Sequence, residues 1–354
     1  MPITALFDSP VFSNSAMDGY ALGSLEGPWQ VVGVAAAGSS DQSVKPNEAF
    51  RIFTGALVPT GTMAVIAQED CSINGDRLHA NVQVNPGRHI RHQGEEFVRG
   101  STLCETGTRL TPPVLSALAS QGLECVPVKT MPKVALISTG SELLKPGEPY
   151  QNGMIYESNS YGLAPILRSF GCYVTVATVQ DDESDTVELL KQLASTHDLL
   201  VTVGGVSVGD RDHVRAAVDA CGFELKFWKV AVKPGKPVGF ALRQDGKAWI
   251  GLPGNPMSAL VTCCLFVAAY LGEELVFHPI PLSHDFDRSP GREEFVPAVL
   301  RWDPQPNIEL HGTVGSHATA GLAVATGLAR IPKDGAHLSK GSVLHYAELP
   351  WRPN

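Results

Sequence analysis

Between residues 133 and 271 the chain alternates compact apolar runs with segments of helix length, and that alternation excludes most folds. Residues 133–138 (Lys-Val-Ala-Leu-Ile-Ser) read as a first strand, 173–179 as a second and 198–203 as a third. Helices are expected over 159–170, stopped by Gly171, over 184–195 and over 212–221. Residues 227–232, 238–242 and 248–252 add strand material before a long helix over 257–271. Strands apolar on both faces and joined by helices predict a parallel sheet covered on each side, since neither face can stay in water.

The flanks read differently. Residues 1–107 carry short β-like runs at 30–34, 64–67 and 82–84, broken by Gly, Pro, Asn and Asp, which predicts a small β-rich domain. Pro112 opens a short helix over 112–121 that ends at Gly122. Short runs at 295–302, 308–311, 328–332 and 342–346 predict a small C-terminal β-barrel or sandwich. The expected fold class is multidomain α/β, with a β-rich domain over 21–97, a central parallel-sheet domain over 131–276 and a β-barrel over 277–354.

Charge and cysteine usage narrow the function. A net charge of −9 argues against nucleic-acid binding, which selects a basic face. The seven cysteines show no CxxC spacing, and Cys263 and Cys264 sit in an apolar run, so reduced thiols rather than a metal site are expected. Residues 1–12 lack the pattern of a signal peptide, and the apolar run 259–271 is too short to span a bilayer. A cytoplasmic protein with no membrane partner follows as the expectation.

Ligands of open parallel sheets bind beyond the carboxyl ends of the strands. Those ends here carry Ser138-Thr139-Gly140-Ser141-Glu142, then Gly204-Gly205-Val206-Ser207-Val208-Gly209-Asp210-Arg211-Asp212. Further on come Lys233-Pro234-Gly235-Lys236-Pro237 and Leu252-Pro253-Gly254-Asn255-Pro256. Glycines let the backbone approach an anion, and Lys233 and Lys236 add positive charge. Glu142, Asp181, Asp182, Asp210 and Asp212 are hard oxygen donors suited to a Mg²⁺ ion beside phosphates. Each loop alone reads as a plain turn; their recurrence at successive strand ends is what points to a phosphorylated ligand. The Gly204 loop has neither the dinucleotide nor the P-loop spacing.

Taken in order, these segments, together with Asn14-Ser15-Ala16-Met17-Asp18-Gly19-Tyr20-Ala21, Arg51-Ile52-Phe53-Thr54-Gly55-Ala56 and Gly94-Glu95-Glu96-Phe97, resemble the molybdopterin molybdenumtransferase family. That family is shared by bacterial molybdenum-insertion enzymes and the C-terminal domain of gephyrin. The resemblance covers nearly the whole chain. It implies insertion of molybdate into adenylylated molybdopterin with release of AMP, dependence on Mg²⁺, and a homodimer. It implies that residues 1–20 and 98–130 are the remnant of an elongated linker and dimerisation domain, altered by a start shorter than that of relatives.

The resemblance also assigns residues. Asp18, Thr54, Glu142, Asp212, Lys233 and Lys236 fall at functionally sensitive positions, with Glu142, Asp181 and Asp212 as metal ligands. Thr139, Gly140, Gly204, Gly205, Ser207, Gly209, Lys229, Pro253, Asn255, Pro256 and Arg292 would bind substrate. Asp18 and Thr54 come from the β-rich domain, which in relatives closes the cleft of a neighbouring subunit. Pro297 stands where many relatives place an arginine. Two other readings remain open here: a non-catalytic pterin-binding paralogue or scaffold, and a molybdopterin adenylyltransferase.

Overall fold

A computed structural model describes residues 1–38, 40–206, 213–311 and 320–351 of the chain. It divides into two compact units, Met1–Lys129 and Thr130–Asn354. In the first, Gly19–Leu22 (β1), Trp29–Ala35 (β2), Glu48–Ile52 (β3), Ala64–Ala67 (β4), Cys71–Asn74 (β5) and Arg77–Ala80 (β6) form one sheet. Its order is β4-β1-β3-β2-β6-β5, antiparallel except for β2 beside β3. Side chains alternate across it as the pleat requires: Ala21, Ile52 and Val65 share one core, and Leu22, Trp29, Ile66 and Leu78 the other. Residues 82–84 do not form the expected strand. The hairpin partner of β5 is β6, turned at Gly75, and Val84 only packs against the Trp29 core. Ile3–Thr4 pairs with Thr102–Cys104. Helix α1 (Pro112–Ser120) is followed by the buried Gln121, whose Oε1 accepts the N–H groups of Leu6 and Phe7.

The second unit contains the alternating segment. Lys133–Thr139 (β7), Tyr173–Val179 (β8), Leu199–Val203 (β9), Glu224–Phe227 (β10), Gly239–Leu242 (β12) and Ala248–Leu252 (β13) form a six-stranded sheet in the order β8-β7-β9-β13-β12-β10; Val232–Lys233 (β11) lies outside it. β8, β7, β9 and β13 run parallel, as the alternation of strand and helix predicts. β12 and β10 are antiparallel additions, so the sheet is mixed rather than wholly parallel. The turn between β12 and β13 is too short for a crossover, and only a hairpin can join them. The strand expected at 227–232 is β10, displaced toward the N-terminus, because Gly222 ends the preceding helix early enough for Glu224 to pair with Leu242.

Helices cover both faces. Asn159–Ser169 (α2) and Pro256–Thr262 (α5) pack with Val134, Leu136, Val201 and Ile250. Glu183–Thr196 (α3) and His213–Ala220 (α4) pack on the other face with Ala135, Ile137, Leu200 and Trp249. Fully burying each such Leu, Ile or Val contributes about 1.5–3 kcal/mol, so these two layers hold the sheet. The single helix expected over 257–271 is broken: a π turn over Cys263–Val267 separates α5 from Ala268–Leu271 (α6). Thr262 Oγ1 donates to the carbonyls of Ser258 and Ala259, the kind of back-bonding that disturbs a helix.

The C-terminal strands are His278–Pro281 (β14), Glu293–Trp302 (β15), Pro306–Leu310 (β16), Gly327–Ile331 (β17) and Val343–Glu348 (β18). They pair in the order β11-β15-β17-β18-β14, with β16 on β15. A bridge from Leu282 to Ile308 joins the two ends and closes a barrel around Val296, Ile308, Ala329 and Leu344.

Candidate active site

The register of the parallel strands sets the site. Ser138 lies beside Val203, and Val203 beside Leu252, so Thr139, the last residue of β7, lies level with Gly204 and Pro253, which follow β9 and β13, at one end of the sheet. Gly204 (φ +95°) donates its N–H to Leu252 O, and a Cβ there would lie 2.8 Å from Thr139 O and Oγ1. A Cβ on Gly205 (φ +62°) would lie 2.3 Å from Val214 Cγ2. Glycine is required at both positions, at Gly204 because the Thr139 backbone lies against it and at Gly205 because the Val214 side chain fills the space, and both have positive φ. Thr139 is itself buried, and Pro253 beside it, while Asn255 is exposed ahead of α5.

Beyond β7 the carboxylates gather. Ser141 N–H donates to Asp181 Oδ2 (3.2 Å) and Asp181 N–H to Ser141 Oγ (3.0 Å), which locks the β7 and β8 loops together. The Glu142 carboxylate folds back over Gly140. Asp182 is engaged elsewhere, where its Oδ1 accepts Asp185 N–H as the cap of α3. The Ser184 hydroxyl and that amide hold the Asp182 carboxyl below its usual range, and the group is spent on the cap rather than offered to a metal. Among the described residues no three His, Cys, Asp or Glu side chains converge as a metal cluster. Ser207, Gly209, Asp210 and Asp212 lie outside the described residues.

Sequence reasoning missed Glu157 and its neighbours. The Glu157 carboxylate is buried, accepting Ser138 Oγ–H (3.0 Å), Ser160 N–H (2.8 Å) and the Ser160 hydroxyl. Asn159 Nδ2 donates to Gly254 O at 2.9 Å. The first turn of α2 therefore ties the end of β7 to the loop after β13. A helix that starts within Glu-Ser-Asn-Ser was the available signal. Glu157 and Ser160 also line a recess of about 740 Å³ that opens beside Gly140 and Ser141 and reaches Lys145 and Arg168.

The basic residues come from the segment around β11. Val230 N–H bonds to Lys236 O, closing the loop, and Gly235 rests against Thr262 of α5. Lys229 and Lys236 are exposed. Lys233 pairs with Glu294 of the barrel at 2.8 Å, and Arg292 donates to Val232 O.

In the first unit, Asp18 and Thr54 are in contact. Asp18 Oδ1 accepts both the N–H and the hydroxyl of Thr54 at 2.7 Å. These bonds, with the charge of Arg51 nearby, hold the Asp18 carboxyl below its usual range. Arg51 is itself fixed over the rings of Tyr20 and Phe53.

Three family models tile the chain: the MoeA N-terminal region (domain I and II) over 1–122, the probable molybdopterin binding domain over 135–273, and the MoeA C-terminal region (domain IV) over 279–349. Molybdopterin molybdenumtransferase 2 of Mycobacterium tuberculosis is 37% identical, covering 98% of this chain and 91% of that one. The chain belongs to the molybdopterin molybdenumtransferase family. A second member, from a Nostoc species, is 32% identical over 99% of this chain and 85% of its own. Among solved structures, the molybdopterin biosynthesis moeA protein of Pyrococcus horikoshii matches with a TM-score of 0.83 at 27% identity, covering 98% of this chain and 90% of that one. The family relationship therefore spans both units. Among the described residues no helix is long and apolar enough to cross a membrane.

Proposed function

We propose that this chain inserts molybdate into adenylylated molybdopterin and releases AMP, a step of molybdenum cofactor biosynthesis. The observation that carries this reading is the meeting of glycine-bearing strand ends at Thr139–Gly140, Gly204–Gly205 and Gly254, in a chain related over nearly its whole length to molybdenumtransferases. Backbone at such turns can approach phosphate oxygens closely, and Ser207 and Gly209 belong to the same stretch. The reaction brings a phosphoanhydride beside an oxyanion, so the site must offset the repulsion of two anions. Lys229, Lys233, Lys236 and Arg292 are assigned to that role, with Pro253, Asn255 and Pro256 shaping the oxyanion side.

Glu142 and Asp181 offer carboxylate oxygens beyond the ends of the adjacent strands β7 and β8. That donor set suits Mg²⁺, which is held through one or two carboxylates with water and substrate phosphate completing its shell; Asp212 is a further candidate. Bound there, Mg²⁺ would polarise the phosphoanhydride. Asp18, kept ionised and singly oriented by Thr54, belongs to the same reaction in this reading. Exposed Leu6, Phe7, Val11 and Phe12 support a homodimer. A reaction of this kind belongs in the cytoplasm, beside the enzymes that make its substrate.

The test is AMP release from adenylylated molybdopterin, followed by chromatography with and without molybdate and with Mg²⁺ chelated. Release is expected only with both ions present. Lys233→Ala should lower kcat/KM at least about tenfold, the worth of one charge-assisted hydrogen bond. Substrate binding without AMP release under any condition would instead mark a pterin-binding scaffold and sink the transferase reading.

A further inference from the structure

Lys233 is held by a buried carboxylate of the barrel. β11 and β15 pair in parallel with Val232 opposite Glu293 and Lys233 opposite Glu294. Lys233 Nζ lies 2.8 Å from Glu294 Oε1, and Arg288 Nε lies 3.3 Å from Glu294 Oε2. The side chains of Glu294 and Arg288 are 8% and 2% exposed, whereas that of Lys233 is 46% exposed. An ionised carboxylate buried this deeply persists only if cations face it. Arg288 faces it without hydrogen-bond geometry, since its Nε and Glu294 Oε2 are both left without a hydrogen bond. The terminal nitrogens of Arg288 donate instead to the carbonyls of Pro332, Ser289 and Arg292. The neighbouring Glu293 is paired with Arg330. Two cations thus meet one carboxylate, and the excess positive charge sits on Lys233, the most exposed of the three groups.

We propose that Glu294 is a positioning residue for the oxyanion substrate: it fixes the Lys233 ammonium where molybdate is held, with Arg288 as the buried counter-charge. The inference rests on the assignment of Lys233 to anion binding under Proposed function. A counter-charge alone would act with the opposite sign. Removing the negative charge of Glu294 raises the local positive charge, so a purely electrostatic role predicts tighter oxyanion binding in its absence. A positioning role predicts weaker binding, because the long lysine side chain then samples many rotamers.

Three variants separate these outcomes: Glu294→Gln, the double variant Arg288→Met/Glu294→Met, and Lys233→Ala. The double variant removes one charge of each sign and replaces a buried pair by apolar side chains, a change that folds tolerate. KM for molybdate and kcat are read from AMP release, and Kd for molybdate alone from calorimetry, on proteins whose thermal melts remain cooperative. The double variant should raise KM and Kd about tenfold with kcat changed less than about twofold, and Glu294→Gln should raise both about threefold. Unchanged KM in the double variant, or tighter binding in Glu294→Gln, while Lys233→Ala still weakens molybdate about tenfold, overturns the positioning role alone. If Lys233→Ala changes neither constant, the anion-binding reading fails and this inference fails with it.

Discussion

Two carboxylates in this protein show what burial decides for a single side chain. Glu157 is 6% exposed and accepts three hydrogen bonds, from Ser138 and twice from Ser160. Its charge is tolerable because donors surround it. Glu157→Gln turns one acceptor into an amide donor facing hydroxyl and N–H groups. It should cost about 1.5–3 kcal/mol, the range for bonds to a charged group, measured by urea unfolding. A loss below about 0.5 kcal/mol would mean that the serines find other partners and that the link between β7 and α2 is weaker than the geometry implies. Asp18 differs: it is exposed, and Thr54 orients its carboxylate without burying it. Substitution there is expected to cost little in folding, because the exposed Thr54 donors can turn to water.

At the scale of elements, the hairpin joining β12 to β13 is clamped by Arg243, whose Nε and terminal nitrogen grip both oxygens of Asp245 at 2.8 and 2.6 Å. The hydrogen bonds from Arg243 lower the Asp245 carboxyl from 3.8 to about 2. A group with a depressed folded pKa contributes stability that is full above its unfolded value and is lost as pH falls through the folded one. The difference in Tm between the native chain and Asp245→Asn should therefore be constant well above pH 3.8 and shrink toward zero as pH falls to about 2. A difference that persists unchanged at the acid end would show that the clamp acts through packing and not charge. This hairpin also marks where the sequence stops being readable. Apolar runs over β7, β9 and β13 announce buried strands, and the glycine-bearing loops after them announce a site, because period and turn chemistry are local. Strand direction is not local: 238–242 has the same apolar pattern whether it runs parallel or antiparallel, and only the short turn after it decides. The pairing of Lys233 with Glu294 is likewise tertiary, between residues far apart in the chain.

For the whole molecule the question is what covers the apolar start of the chain. Leu6, Phe7, Val11 and Phe12 are all exposed, yet this segment cannot fold back over itself. Ile3–Thr4 is paired to Thr102–Cys104, Ser9 is bridged to Phe97, and the N–H groups of Leu6 and Phe7 are committed to Gln121. An apolar patch held outward by its own backbone bonds is a poor surface to leave in water, and a second copy of the chain is the cover we infer. In a two-fold interface each residue is used twice, so Phe7→Glu/Phe12→Glu removes four buried rings. Both rings are already partly buried in the single chain, so at about 1 kcal/mol for each ring association should weaken by about a thousandfold. Sedimentation at micromolar concentration should give a dimer for the native chain and a monomer for the variant, with circular dichroism unchanged. A native chain that sediments as a monomer removes the dimer. A monomeric variant that retains full molybdate-dependent AMP release would instead leave the dimer in place but show that each chain carries a complete site.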